Sequence, residues 1–234
     1  MRSPRPASNY ESWLLISEGL HSGLRVDPGL ARKGNVLLIG SEQEFFRREA
    51  NERGEVLLTQ GESAAAVLNA AISAHNPHSR QLLESEADKN YWRITDTGIY
   101  VRDAQDDFMI VSVSEHGRKT GESVIPNSTG YIIDSERETG LPLPGHLTDD
   151  FDELLRRMFD TTRSEIEDPG NFTMANGIEY WTGFGHSSAT LGDSAVIVRY
   201  FGLSGENECI VSRCYRQHDI AHPAFAARFG VMHR

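Results

Sequence analysis

Between Asn171 and Tyr215 the chain has little freedom to be anything but β-sheet. Asn176-Gly177 sits between the apolar stretches Phe172–Met174 and Ile178–Trp181. Both central residues of a two-residue hairpin take positive φ, which Asn-Gly tolerates best. Ala195-Val-Ile-Val-Arg-Tyr-Phe201 and Cys209-Ile-Val-Ser-Arg-Cys-Tyr215 are β-branched runs that predict a second hairpin across Gly202 to Glu208. The expected assembly is a four-stranded antiparallel meander.

Upstream, short apolar runs alternate with helical patterns. Trp13–Ile16 and Leu24–Val26 predict a strand and its return, broken by Asp27-Pro-Gly29. Val36–Ile39 is a continuous apolar run expected to form a strand buried on both faces. Glu42–Asn51 predicts a short helix with Ser41 as N-cap and Gly54 beyond its end. Glu55–Thr59 is a further strand, and the alanine-rich Glu62–Ala74 is a helix. This βαβα order over residues 36–74 favours a locally parallel strand pair. Leu14 to Val26 (LLISEGLHSGLRV), followed by Leu37 to Ser41 (LLIGS), resembles the first strands of forkhead-associated modules.

From Tyr91 the pattern changes to period two. Trp92–Thr95, Ile99–Val101 and Phe108–Val113 are strand candidates separated by polar turns at Asp96-Thr-Gly98 and Asp103–Asp107. His75–His78 breaks the chain before a helix over Ser79–Ala87, Gly117–Glu122 is a loop, and Tyr131–Ile133 is a strand. Thr148–Phe159 is an amphipathic helix with Phe151, Leu154, Leu155, Met158 and Phe159 on one face. Pro223 predicts a terminal helix over Pro223–Phe229, because proline suits the first helical position.

These elements predict an α+β fold: a mixed sheet with an N-terminal βαβα-like portion and a C-terminal antiparallel β-meander, with short helices packed on it. Residues 1–9, rich in Pro, Arg and Ser, are expected to be a flexible tail, and residues 10–234 a single domain. The glycine- and proline-bearing stretch 134–147 is the candidate sub-boundary.

Charge narrows the function. The chain has 23 basic and 34 acidic residues, a net −11, and basic runs never exceed a pair. Asp134 to Asp168 holds eleven acidic and four basic residues, so it carries −7 of that total. Nucleic-acid affinity comes largely from neutralised phosphates, so no nucleic-acid partner is expected. The basic N-terminus lacks a following apolar stretch, and no apolar run reaches the ~18–20 residues that span a bilayer. Cys209 and Cys214 are five apart, which on one strand places them on opposite faces and disfavours a disulfide. Without secretion, the acceptor patterns at Asn127 and Asn171 carry no glycosylation. The expectation is a soluble cytoplasmic protein.

Several motifs have catalytic outlines without their context. Gly185-His-Ser-Ser-Ala189 has the spacing of a nucleophile elbow, but a strand rather than a helix follows. Gly192-Asp-Ser194 resembles the serine segment of chymotrypsin-like proteases, with Ala195 and Val196 where two glycines belong. Gly183-x-Gly185 has no helix to receive a pyrophosphate. Gly61 opens a helix but has no P-loop lysine. Cys214, His218 and His222 have metal-ligand spacing for a helix, but Cys214 belongs to a strand and Pro223 pushes His222 out of the α region. Asp149, Asp150, Asp152 and Glu153 fit the first turn of a helix better than a metal site. His116 reads as a surface or hydrogen-bonded histidine. No cofactor or metal is expected.

Two functional expectations result. The first is a non-catalytic interaction or assembly subunit, with a protein partner or self-assembly. The alternative is a small-substrate hydrolase or transferase using His186, Ser187, Asp193 and His218 on loops of the C-terminal sheet. A general base must come within about 3 Å of the proton it takes, directly or through a water, so convergence of those loops decides that alternative.

Overall fold

The computed structural model describes residues 10–40, 42–86, 91–105, 108–126, 171–173, 179–183, 195–204, 207–216 and 225–232. It has the α+β architecture expected, with helices, a four-stranded sheet and a larger mixed sheet. The expected tail (1–9), the 134–147 loop, the strand at Tyr131 and the Thr148–Phe159 helix lie outside the described residues.

The first hairpin forms as its sequence predicts. β1 (Leu14–Leu15) pairs antiparallel with β2 (Leu24–Val26), with Leu14 opposite Val26. The following apolar run does not become a buried strand. β3 (Arg32–Lys33) and β4 (Val36–Leu37) form a two-residue ladder of their own, and Val36 is 70% exposed. Only Leu38 of that run turns inward. The stretch resembling forkhead-associated modules thus divides, since its second piece never joins its first.

Helix α1 (Gln43–Asn51) starts at Glu42, which makes no side-chain cap, and Ser41 lies outside the described residues. Phe46 and Ala50, one turn apart, bury its inner face. β5 (Val56–Leu57) leads into α2 (Gln60–Ile72), whose N-terminus is a capping box. The Thr59 Oγ1 accepts from the Glu62 amide at 3.2 Å, and the Glu62 carboxylate accepts from the Thr59 amide at 2.8 Å. Two of the free amides of the first turn are thereby satisfied. α3 (Pro77–Glu86) begins with Pro77, and Asn76 Oδ1 accepts from the His78 amide at 2.8 Å. The expected parallel pair is absent among the described N-terminal strands: β3 and β4 pair antiparallel, and β5 pairs antiparallel with the C-terminal strand. β4 is taken up by its hairpin with β3 and β5 by the C-terminal strand, so the two do not pair with each other.

β6 (Trp92–Gln105) is one continuous strand where two short pieces separated by a turn at Asp96-Thr-Gly98 were expected. Asp96, Thr97 and Gly98 do not turn because their polar groups have partners on either side. The Asp96 amide donates to Leu58 O at 2.7 Å, and Thr97 Oγ1 accepts from the Gln60 amide at 2.8 Å. β7 (Phe108–Glu115) and β8 (Arg118–Pro126) follow as antiparallel neighbours. The expected loop at Gly117–Glu122 is instead a tight turn at His116-Gly117 and the start of β8. Both turn residues have positive φ, +49° and +72°, the geometry that suits a two-residue hairpin.

Both C-terminal hairpins are present. β9 (Asn171–Thr173) pairs antiparallel with β10 (Glu179–Gly183), and β11 (Ala195–Ser204) with β12 (Asn207–Arg216). They do not join as a simple meander. The order is β8-β7-β6-β11-β12-β10-β9, so β10 lies parallel to β12 while β11 pairs with β6. Cys209 and Cys214 both lie on β12, opposite Gly202 and Ile197.

The largest departure is at the C-terminus. Residues expected to form a terminal helix are two strands, β13 (Phe225–Ala227) and β14 (Phe229–Met232). β13 runs parallel to the start of β6, while β14 inserts between β2 and β5 to complete the small sheet. The segment therefore stitches the two sheets together. Its carbonyls accept from the amides of Gly40 (3.0 Å), Ala31 (2.8 Å), Leu58 (3.3 Å) and Asp27 (3.0 Å). A helix would leave those donors without these acceptors, a penalty of about 1–3 kcal/mol for each buried group. Phe225, Ala227 and Phe229 join Ala31, Leu38, Phe46, Leu57 and Ile94 in the core beneath α1.

Candidate functional site

Where α1, α2, β6 and the β7–β8 turn meet, the chain gathers a cluster of charged side chains. α1 presents Gln43 and Arg47 one turn apart. The capping box fixes Glu62, β6 supplies Asp96, and the positive-φ turn projects His116 back over them. Arg47 grips Asp96 through two nitrogens, Nη2 at 2.5 Å and Nε at 3.1 Å from Oδ1. Its Nη1 donates to Glu44 at 2.6 Å, and Nη2 also donates to Gln43 Oε1 at 3.1 Å. Gln43 in turn donates to the carbonyls of Thr95 (2.7 Å) and Thr97 (3.3 Å). On the other side, His116 Nε2 lies 3.0 Å from Glu62 Oε1 and Nδ1 lies 3.4 Å from Asp96 Oδ2.

The electrostatics follow from burial set against pairing. Burial pulls the His116 pKa down, but hydrogen bonds to Asp96 and Glu62 outweigh it and push it up to about 10. Burial likewise raises Asp96, yet hydrogen bonds from His116 and Arg47 bring it below the usual aspartate range. Arg47 is raised, chiefly by its bond to Asp96. The site therefore holds an imidazolium and a guanidinium against the Asp96 carboxylate at neutral pH. Both ring nitrogens face carboxylates, so neither is a free lone pair for taking a proton from a substrate.

A second ionic centre lies under the C-terminal strand. Arg228 is buried between β13 and β14, with Nη2 2.9 Å from Glu86 Oε1 and 2.6 Å from Ser85 Oγ. Its Nη1 donates to the carbonyls of Asp27 (2.8 Å) and Gly29 (2.9 Å). Arg93, also buried, donates to the carbonyls of Tyr91, Ser85 and Glu86. Burial raises the Asp27 pKa, while its bond from the Gly29 amide and the nearby Arg228 act the other way.

The residues singled out for catalysis, His186, Ser187, Asp193 and His218, lie outside the described residues, as does His222. Their anchoring strands are described. β10 ends at Gly183 opposite Arg213, β11 begins at Ala195 opposite Arg216, and β12 ends at Arg216. Both connections that carry the four residues thus depart from the same end of the sheet. Among the described residues, no group of three or more His, Cys, Asp or Glu is placed to hold a metal ion, and no helix is long and apolar enough to cross a membrane.

The charged cluster joins residues far apart in sequence, such as Arg47 with Asp96, and no local spacing announces it. Two local clues are readable. Thr59-x-x-Glu62 is a capping-box spacing, and His116-Gly117 stands between two alternating runs. Comparison with family models, with characterised proteins and with solved structures gives no match for this chain.

Proposed function

We propose that this protein is a non-catalytic interaction or assembly subunit. The observation that carries the reading is the saturation of its charged cluster. Arg47, Asp96, His116 and Glu62 are bound to one another across four elements, as a brace would be. A general base works best with a pKa near the operating pH, and an imidazole held near 10 is far from that.

Exposed apolar side chains support the same reading. Leu20 (72%), Ile72 (69%) and Met232 (55%) face solvent, as does Leu15 on the short strand β1. Asn69 Nδ2 donates to Leu15 O at 3.4 Å, so Ile72, one turn further along α2, lies on the side of the molecule that carries β1. A chain of net −11 repels its own copies at long range, so association needs contacts of this apolar kind. The net charge also disfavours nucleic acid as the partner.

Light scattering over a wide concentration range, paired with affinity capture from the native source, tests the proposal. Self-association, or a stoichiometric partner lost on Ile72→Asp and Leu20→Asp substitution, is the expected result. A concentration-independent monomer with no stoichiometric partner would sink it.

A further inference from the structure

We propose that β13–β14 is an exchangeable strand, and that this protein assembles with a second copy of itself by trading it. The inference rests on the assembly reading above and names the partner and the contact. β14 is the last described strand of the chain, yet it is central in space, because it fills the slot between β2 and β5. Its register partners, and those of β13, all lie between Leu24 and Ile94. None of that pairing depends on which chain supplies the strand. A segment donated by a second copy would make the same ladder and fill the same core, the condition under which strand exchange has little thermodynamic penalty.

The slot is also selective for this sequence. Phe225 and Phe229 are almost wholly buried in the shared core. Arg228 meets Glu86, Ser85 and the carbonyls of Asp27 and Gly29, an acceptor set that suits a forked guanidinium better than a lysine ammonium. At Gly230 the fit leaves no room for a side chain. A Cβ there would stand 2.7 Å from Leu58 Cδ2 and 3.1 Å from Arg25 O. Together these requirements describe an extended aromatic-Ala-Ala-Arg-aromatic-Gly segment, and a second copy of this chain carries it.

Cross-linking in the full chain tests the exchange. Arg25 and Val231 are half-buried register partners on β2 and β14. Arg25→Cys is placed in an isotope-labelled chain and Val231→Cys in an unlabelled one. The two are refolded together, treated with a short thiol cross-linker and digested, and linked peptides are read by mass spectrometry. A chain carrying both substitutions reports the strand pairing itself. Labelled-to-unlabelled links between positions 25 and 231 are expected, with a several-fold lower yield when Arg228→Lys is added to the donating chain. A dimer in light scattering without such links, while the double variant links within itself, overturns the exchange and leaves assembly standing. A monomer at every concentration overturns both. Absence of any link in the double variant removes the pairing that the proposal stands on.

Discussion

Replacing Arg228 with methionine should be among the most damaging single changes in this protein. The side chain is 2% exposed and makes contacts with Glu86, Ser85, Asp27 O and Gly29 O. Methionine keeps much of the volume but removes the guanidinium that donates through two nitrogens to the carboxylate of Glu86, itself 2% exposed. Breaking a buried pair from one side costs about 3–5 kcal/mol, because the surviving charge stays desolvated. The two carbonyls that lose their donor push the figure towards the upper end. For a chain of this size each kcal/mol moves the melting temperature by roughly 2–4 °C, so Arg228→Met should lower it by roughly 8–20 °C. Urea unfolding followed by circular dichroism gives the free energy directly. The double variant Arg228→Met/Glu86→Leu should recover most of the loss, since an apolar pair of similar volume is often as stable as the ion pair it replaces. If Arg228→Met fails to fold, Arg228→Lys, which keeps the charge but loses the fork, supplies a milder measurement. A cost below about 1 kcal/mol for Arg228→Met would refute the reasoning, as would strict additivity of the two substitutions.

Two further outcomes follow from the charged cluster and the strand slot. His116 has a folded pKa raised from 6.5 to about 10, so its contribution to stability is complete below pH 6.5 and disappears as pH rises through about 10. Asp96 is depressed, so its contribution is lost only on the acid side, as pH falls below the normal aspartate range. His116→Asn keeps a residue that tolerates positive φ and should remove the alkaline part of that pH dependence. Urea midpoints at pH 6 and pH 9 check the prediction, and an imidazole titrating near 6.5 by NMR would contradict it. Gly230→Ala should cost about 1–3 kcal/mol by overpacking against Leu58 and Leu24, and a wild-type urea midpoint in that variant would show that the slot has slack.

What the sequence revealed depends on where each residue's partners lie. The α2 helix was legible because alanine propensity acts within a few residues, and the C-terminal hairpins because β-branched runs flank turn signals. Phe225–Phe229 misled for the same reason. Pro223, just before it, and the alanines and arginine within it favour a helix locally, whereas its actual partners, Trp92, Ile94 and Leu57, are far earlier in the chain. Asp96-Thr97-Gly98 has turn composition, but Leu58, Gln60 and Arg47 satisfy its polar groups in extended form. The α+β class survives these local errors because it depends on which elements exist more than on how they pair. Arg47 with Asp96, and Arg228 with Glu86, could not be read at all, since such pairs leave no mark on spacing.

Both ionic centres occur where a strand changes its pairing partner, and this explains their location. β6 pairs with β13 over Trp92–Ile94 and with β7 from Thr97 onward, and Asp96 occupies the change of partner. β13 and β14 change sheets at Arg228, which is the residue between them. At each crossing the ladder is interrupted, and backbone groups there need side-chain or cross-layer partners to replace it. The carbonyls of Asp27 and Gly29 find Arg228, those of Thr95 and Thr97 find Gln43, and the Asp96 amide finds Leu58. Once a guanidinium or carboxylate is recruited to such a place, its own charge must be balanced in turn, which brings in Glu86 at one crossing and Arg47 and His116 at the other. On this account the charged residues of both centres are consequences of the topology.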